Sequence, residues 1–404
     1  MSAEIPKMQR LTRVAQAFTP SAPVSRLDML AGRIAQIQDV ANAVSQRGQH
    51  VALYGERGVG KTSLANVLAE LFDAPDLPHF QAVLVNCGTD DSYATIWNNI
   101  FVELGVALGD TPSPEGVRRT LDDLDVPALI VVDELDRFED NDGLTAMADT
   151  VKTLSDHSVI STLVFVGVAQ SIGELMGEHD SIVRALAQVE MPRMSENELE
   201  EILDRGCAKA ALEIDSEAAA RIAKLSDGLP HYTHLLGRHA GQRVVHNDRD
   251  TITLADVNTI IPEAVARHTI QSSYLEATES VRKDNLYPQV LLACALAPTN
   301  QHGYFTAGAI RDPLEQIAGR RLDIPAFARH LAQFLEPERG AVLQRRGVPR
   351  RYFYRFTDPI LRPYVVLKGL SDGKITSDEL QRFQPTPAGN GPDLSETTSP
   401  QQLF

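Results

Sequence analysis

The stretch Gly55-Glu56-Arg57-Gly58-Val59-Gly60-Lys61-Thr62 matches G-x-x-x-x-G-K-[ST], the pattern of a phosphate-binding loop. The apolar run 50–54 precedes it and a helical pattern follows, which is the strand–loop–helix setting that this loop requires. Its glycines let the backbone turn N–H groups toward phosphates, and the start of the following helix adds partial positive charge. The stretch therefore predicts a nucleotide-binding α/β core.

Each part of this P-loop has an expected role toward ATP. Lys61 is expected to reach the β and γ phosphates, and the Thr62 hydroxyl is expected to bind Mg²⁺. Arg57 has two interpretations, a phosphate contact or an ordinary exposed arginine. The residues expected to contact the nucleotide are Gly55, Glu56, Arg57, Gly58, Val59, Gly60, Lys61, Thr62 and Ser63.

A second motif, Ala-Leu-Ile-Val-Val-Asp-Glu at 128–134, has the form of a Walker B element. Such a strand places its terminal acids at the carboxyl edge of a parallel sheet, where ligands bind. Asp133 is expected to hold Mg²⁺, usually through water, and Glu134 to orient and polarise the water that attacks ATP. A strand-like run, 82–87, separates the two motifs. This order favours the P-loop proteins with an inserted strand and a catalytic glutamate over small GTPases and nucleotide kinases.

Short apolar runs alternate with helical patterns between residues 49 and 191, which predicts a parallel sheet with crossover helices. The expected strands are 50–54, 82–87, 128–133, 162–168 and 188–191. Ser195 and Glu198 form a capping-box pattern that opens an all-helical region. We expect an extended N-terminal arm at 1–30, a P-loop ATPase core at 31–194, a helical lid at 195–268 and a linker helix at 269–283.

The region 284–370 predicts a further domain of three helices followed by a hairpin. The helical patterns cover 286–297, 307–317 and 325–335, and the strand-like runs 341–346 and 350–356 flank a Gly-Val-Pro turn. Three helices and a hairpin is the order of a winged helix. Residues 371–404 are rich in Pro, Gly, Ser and Thr, which predicts a disordered tail.

Composition bounds the class of protein. The 404 residues are 43% hydrophobic and 23% charged, which is typical of folded soluble chains. No run approaches the roughly 18 apolar residues of a membrane span, and the N-terminus is polar, so we expect a cytoplasmic protein without membrane contact. The three widely spaced cysteines predict buried thiols rather than disulfides or a metal site.

The net charge of −16 argues against a protein that coats nucleic acid by bulk electrostatics. Residues 320–368 are the exception, because eleven basic residues there face four acidic ones. This local excess of +7 favours contact with the phosphates of double-stranded DNA. The expected DNA contacts are Arg329 on the third helix and Arg345, Arg346, Arg350 and Arg351 around the hairpin turn.

Gly32-Arg33, the acidic run 133–136 and the segment 179–203 together resemble AAA+ ATPases of the initiator clade, the origin-recognition type. The resemblance implies that Arg184 is an arginine finger acting on the nucleotide of a neighbouring subunit, in a homo-oligomer or with partner subunits. It also implies a first sensor at Gln170 or Ser171. The second sensor, usually arginine, corresponds to His231, and a histidine there implies a weaker, pH-dependent contact with the γ phosphate.

Two functions remain open from the sequence. The first is an ATP-hydrolysing AAA+ regulator whose nucleotide state controls a DNA-binding winged helix in replication, transposition or defence. The second is a slow signalling-switch ATPase of the STAND type, because Gly228-Leu229-Pro230 also resembles a motif in the helical domain of that class. In this second case the winged helix makes protein contacts instead of DNA contacts.

Overall fold

The computed structural model describes residues 4–72, 80–107, 111–169, 173, 182, 184–266, 268–280, 285–300, 302–349 and 351–383. The chain divides into two compact units, residues 1–252 and residues 253–404. Within the described ranges, no helix is long and apolar enough to cross a membrane. Cys87, Cys207 and Cys294 are buried free thiols, which confirms the prediction made for them.

A parallel five-stranded sheet forms the centre of the first unit. Its strands are β1 (His50–Gly55), β2 (Gln81–Asn86), β3 (Ala128–Asp133), β4 (Thr162–Val168) and β5 (Leu186–Glu190), in the spatial order β2-β3-β4-β1-β5. Every residue of β3 is buried, as expected for an apolar strand covered on both faces. The inserted strand β4 lies between β1 and β3, so the P-loop and the Walker B acids follow strands that are one position apart. The predicted α/β parallel-sheet fold is confirmed.

Helices cover the sheet on both sides. They are α1 (Glu4–Ala17), α2 (Ile34–Val44), α3 (Lys61–Phe72), α4 (Tyr93–Glu103), α5 (Pro114–Asp122) and α6 (Asn141–Asp156). Trp97 on α4 is fully buried and packs beside Tyr93 and Phe101, at the i, i±4 spacing of one helix face. This aromatic row belongs to the core cluster that also contains the apolar residues of β3.

Three further helices complete the first unit: α7 (Glu196–Ala210), α8 (Ser216–Ser226) and α9 (Pro230–His246). The capping box predicted for α7 is present, because Ser195 accepts a hydrogen bond from the Glu198 N–H and Glu198 accepts one from the Ser195 N–H. Two short strands, β6 (Glu213–Ile214) and β7 (Thr251–Ile252), pair in parallel beside these helices. Two-residue strands carry too little pattern to be predicted.

The predicted extended N-terminal arm is wrong for residues 4–17, because they form α1, which packs against α7 and α9. Val14, Ala17 and Phe18 are almost completely buried. A Cβ atom on Gly206 of α7 would lie 2.4 Å from the Phe18 ring. The apolar residues of α1 therefore need the glycines of other helices to pack against, and no local pattern in 1–30 reports this.

The second unit contains helices on either side of a small antiparallel sheet. Its elements are α10 (Leu254–Ala266), α11 (Gln271–Thr278), α12 (Tyr287–Leu296), β8 (Phe305–Thr306), α13 (Arg311–Ala318), α14 (Ile324–Gln333), β9 (Leu343–Val348), β10 (Arg351–Phe356), α15 (Leu361–Ser371) and α16 (Ser377–Phe383). The sheet order is β8-β10-β9. Between 287 and 356 the chain thus runs helix, strand, helix, helix and hairpin.

Two boundaries differ from the expectation. The units divide between Ile252 and Thr253, so α10, which we assigned to the lid, belongs to the second unit and packs against α15. The predicted disorder from residue 371 is wrong for residues up to 383, because α16 is ordered there. Ile375 and Leu380 are 3% and 1% exposed, so two apolar side chains in a polar segment are enough to dock this short helix. Residues 384–404 lie outside the described part of the chain.

Candidate functional site

The P-loop joins the end of β1 to the start of α3, at the carboxyl edge of the sheet. Gly55, Gly58 and Gly60 have φ values of 158°, 85° and 97°. The values at Gly58 and Gly60 lie in the region that other residues rarely adopt, which explains the glycines of the motif. The loop therefore has the curled backbone that presents N–H groups to phosphates.

Lys61, the first residue of α3, is only 7% exposed. Its ammonium donates hydrogen bonds to the carbonyl oxygens of Gly55 (3.0 Å) and Glu56 (2.8 Å). Burial lowers the pKa of Lys61 to about 8, although the nearby carboxylates of Asp136, Asp133 and Glu56 oppose this shift. A positive charge is thus held inside the loop, next to the acids of the Walker B strand.

Asp133 ends β3 and is 2% exposed. Its Oδ1 accepts a hydrogen bond from the Glu134 N–H (2.7 Å), while Oδ2 is buried without a hydrogen bond that meets geometric criteria among the described residues. Burial raises the pKa of Asp133, opposed by the Thr62 hydroxyl and the Glu134 N–H. A buried carboxylate oxygen and a nearby hydroxyl are the oxygen ligands that Mg²⁺ prefers, so these residues fit the expected metal.

Glu134 follows the strand and points away from the core. Its backbone is left-handed (φ 56°, ψ 34°), which turns the chain sharply after β3. Its side chain is 47% exposed and forms an ion pair with Arg137 at 2.7 Å. The neighbouring Asp136 accepts a hydrogen bond from the Val168 N–H at the end of β4 (2.7 Å). These contacts bring the acids and the ends of β3 and β4 to the edge of the sheet where the P-loop lies.

Arg33 connects the P-loop to the helical part of the unit. It is 3% exposed, and its guanidinium donates a hydrogen bond to the carbonyl of Val59 in the loop (2.7 Å). Its N–H and that of Gly32 donate to Glu198 (3.1 Å) and Glu201 (2.9 Å) on α7. Burial lowers the pKa of Arg33, and Glu198 opposes this. Gly32-Arg33 therefore fastens α7 to the P-loop.

The expected second sensor, His231, lies in the first turn of α9. Its Nδ1 is 2.7 Å from the carbonyl oxygen of Pro20, so this nitrogen acts as a hydrogen-bond donor. The segment that contains Pro20 also reaches the P-loop helix, because the Val24 N–H donates to the Ser63 hydroxyl (3.1 Å). With Nδ1 donating to a carbonyl, Nε2 carries a proton only when the ring is charged. A phosphate contact by His231 would thus require the imidazolium form.

An ionic contact that the motifs did not indicate links Glu56 of the P-loop to Arg193, which lies between β5 and α7. Arg193 donates to Glu56 (2.8 Å) and to the Asp227 side chain (2.6 Å) and carbonyl (2.9 Å). Arg193 belongs to no local motif, and only its position just before a capping box sets it apart in the sequence. The pairing depends on tertiary contacts.

Arg184 is exposed and lies two residues before β5. Strands β1 and β5 run parallel with His50 opposite Leu186, so Arg184 lies at the amino edge of the sheet. The P-loop follows the other end of β1, roughly 17 Å away at about 3.3 Å per residue. Arg184 is therefore not part of the loop's own site. Gln170 and Ser171 lie outside the described residues.

The hairpin β9–β10 in the second unit carries exposed arginines next to aromatic rings. Arg345 lies over the ring of Tyr352, 4.2 Å from its centre, and Arg346 and Arg355 lie 5.7 and 5.0 Å from that of Tyr304. Arg345, Arg346 and Arg351 are exposed, as are Arg329 on α14 and Arg320 and Arg321 in the turn before it. Arg350 lies outside the described residues. Tyr354 and Phe356 point into the core, which agrees with alternation along the strand.

Comparison with known proteins agrees with the geometry of the P-loop region. Residues 44–176, about a third of the chain, match the family model described as "AAA domain". This range includes the P-loop, β3 with Asp133, and β4. The chain therefore carries an AAA domain here, and the predicted AAA+ core is confirmed. No curated protein matches the chain.

Several solved structures have a similar fold. Cdc6p from Pyrobaculum aerophilum is 15% identical, with 90% of this chain and 99% of that chain covered and a TM-score of 0.48. The Aeropyrum pernix ORC1 protein, solved in complex with DNA, is 16% identical, with 88% and 95% covered and a TM-score of 0.47. The Thermotoga maritima RuvB Holliday junction branch migration motor is 17% identical, with 84% and 96% covered and a TM-score of 0.42.

Proposed function

We propose that this protein binds and hydrolyses ATP at the P-loop, with Mg²⁺, and that its nucleotide state controls a DNA-binding winged helix in the second unit. The observation that carries the first part is the convergence of Lys61 and Asp133. Both are almost completely buried, and the charge of Asp133 acts on the Lys61 ammonium. A buried cation beside a buried acid, under a loop of N–H groups, matches the charges of a magnesium–triphosphate.

Each side chain has a distinct role in this proposal. Lys61 leaves the loop carbonyls and binds the β and γ phosphates, while the loop N–H groups hold the rest of the triphosphate. Thr62 and Asp133 hold the metal, which neutralises phosphate charge when bound. Glu134 orients the attacking water and takes its proton. Since Glu134 is paired with Arg137, this role requires its carboxylate to leave that exposed ion pair, whose strength is small.

We propose that Arg184 acts in trans on the nucleotide of a neighbouring subunit. Its place at the amino edge of the sheet supports this role, because the loop of the same chain lies beyond its reach. An exposed arginine next to a rigid strand can enter another copy's site without a large rearrangement. His231 and Gln170 remain proposed sensors of the γ phosphate, the former in its charged form.

For the second unit, we propose that α12, α13, α14 and the hairpin form a winged helix that binds duplex DNA. The order helix, strand, helix, helix, hairpin and the sheet order β8-β10-β9 support it. The exposed arginines of the hairpin and Arg329 would contact phosphates or the groove, and Arg320 and Arg321 extend the same basic surface. Stacking of Arg345 and Arg346 on aromatic rings limits their side-chain freedom, which lowers the entropy lost on binding.

The ATPase part is tested by Glu134→Gln, which keeps the shape of the side chain but removes the base. We expect ATP binding by calorimetry to be nearly unchanged and turnover to fall by about 10² to 10⁴. The matched control is Glu139→Gln, an exposed carboxylate five residues later, which should keep the parental rate. Hydrolysis by the Glu134 variant at the rate of the control would remove Glu134 from the mechanism.

A further inference from the structure

A chain of ionic contacts runs from the P-loop to the first turn of α9. Arg193 is its centre, paired with Glu56 on one side and with Asp227 on the other, at 2.8 and 2.6 Å. The exposed fractions of the three side chains are only 26%, 23% and 32%. Asp227 directly follows α8 and begins the turn that leads through Gly228 to Pro230, where α9 starts.

The backbone around Arg193 is fixed on the side of the P-loop. The Met191 N–H donates to the Tyr54 carbonyl (2.7 Å), which continues the pairing of β5 with β1. A Cβ atom on Gly55 would lie 2.4 Å from the Met191 carbonyl oxygen. The segment before Arg193 therefore lies directly against the start of the P-loop.

The backbone is equally close on the side of α9. The Met194 N–H donates to the Gly228 carbonyl (2.9 Å), and a Cβ atom on Gly228 would lie 2.6 Å from the Cβ of Arg193. Gly228 has φ 77°, so both its conformation and this contact require glycine. At the other end of the P-loop, a Cβ atom on Gly60 would lie 3.8 Å from the ring of Pro230. The first turn of α9 thus faces the loop.

We propose that Arg193 is a positioning residue that couples the P-loop to the first turn of α9, and so sets the site's affinity for ATP; this rests on the proposed function. Arg193 touches no nucleotide itself. It holds Glu56 and Asp227 together, and thereby fixes the N-terminus of α9 and His231 opposite the loop that binds phosphates. The amino end of a helix favours a negative ligand, so its position affects binding.

The electrostatics of the three groups support a strong link. Burial alone would lower the pKa of Arg193, but the charges of Asp227 and Glu56 outweigh it and raise the pKa. Partly buried, doubly paired guanidinium groups form stronger contacts than exposed ion pairs. The arginine can serve two carboxylates at once because its donors point in fixed, different directions.

The test uses Glu56→Gln, Asp227→Asn and the double variant in the full-length protein. Both single changes remove one charge and keep the side-chain shape, and Asn tolerates the left-handed backbone at 227. If the three residues act in series, breaking either link removes the whole coupling. We therefore expect ATP affinity by calorimetry to fall about 5- to 20-fold in each single variant, and by no more in the double variant.

The matched control is Glu115→Gln, which removes an exposed carboxylate paired with Arg118 on α5. It should leave ATP affinity unchanged. Parental affinity in both single variants, or losses that multiply in the double variant, would overturn the proposal. A lower melting temperature with unchanged ATP affinity would also overturn it, because that is the result of a purely structural role. If the parent protein itself bound no ATP, the proposed function would fail instead.

Discussion

Positive charge serves two different regions of this protein in opposite ways. At the P-loop a single ammonium, Lys61, is 7% exposed and held by two backbone carbonyls, with acids close by. At the hairpin β9–β10 the arginines are exposed and contact aromatic rings. The first region buries one cation, and the second spreads several over a surface.

The difference teaches what each region can recognise. A buried, desolvated cation interacts strongly with a ligand that fits the cavity, and salt screens it little. Exposed arginines interact with any phosphate backbone, and their contribution depends steeply on salt. In a chain with net charge −16, such a basic surface is unusual enough to indicate a partner. The comparison predicts salt-insensitive ATP binding and salt-sensitive DNA binding.

Arg184 sharpens the comparison most, because it is an exposed cation proposed to enter a buried site in another copy. Arg184→Ala should lower turnover by about 10³ to 10⁵ without changing ATP affinity, since an arginine finger stabilises charge only during the reaction. Steady-state hydrolysis and calorimetry on the same sample measure the two effects.

Mixing the Arg184→Ala and Lys61→Ala proteins provides the control for action in trans. Each lacks what the other has, so the mixture should regain part of the parental turnover. No recovery at any protein concentration would leave Arg184 a residue of its own subunit, and the buried–exposed distinction would then not extend between copies.

The hairpin gives the next largest effect. Replacing Arg345, Arg346, Arg350 and Arg351 by Ala should weaken duplex binding for all sequences and lower the salt slope by up to roughly four, at about 0.9 per phosphate contact. ATPase activity without DNA should stay near the parental value. Affinities measured from low to physiological salt give both quantities.

The control for the hairpin is Lys374→Ala with Arg382→Ala, which removes exposed positive charge from the same unit outside the hairpin. This pair should leave the slope almost unchanged. Equal affinities and equal slopes for parent and hairpin variant would assign the second unit to protein contacts, as in the signalling-switch alternative.

The pH dependence of ATP binding tests the buried side of the comparison. Burial brings the pKa of Lys61 to about 8, below its usual range. ATP binds the protonated form, so affinity should be level below that pH and fall above it by up to about tenfold per pH unit. Lys61→Arg cannot lose its charge and should lose this slope, whatever its affinity. A parental curve flat to pH 9.5 would contradict the assigned role of the ammonium.

The sequence predicts the P-loop and the Walker B strand well because their chemistry is local. Glycines, Lys61 and Thr62 must lie within one loop, and Asp133 must end an apolar strand, so motif and structure coincide. The capping box before α7 follows the same logic, since Ser195 and Glu198 satisfy each other three residues apart.

The N-terminal helix and the contacts of Arg193 could not be predicted in this way. Phe18 gains its place from Gly206 and Gly237, which lie about 190 and 220 residues away in the chain. Arg193 likewise meets Glu56 across 137 positions. No periodicity within 1–30 or 192–194 reports such partners. Long-range packing and ion pairs are thus the part of the site that only the structure reveals.

The central claim, a buried cation that binds the phosphates of ATP, is tested most directly by titrating ATP with Mg²⁺ into the parent and Lys61→Ala proteins in a calorimeter. We expect the variant to bind roughly 100-fold more weakly, because it loses the charged contact with the β and γ phosphates. Its melting temperature should stay close to the parent's, since the lowered pKa of Lys61 means that burying this charge opposes folding. Equal ATP affinity in two folded proteins would contradict the account.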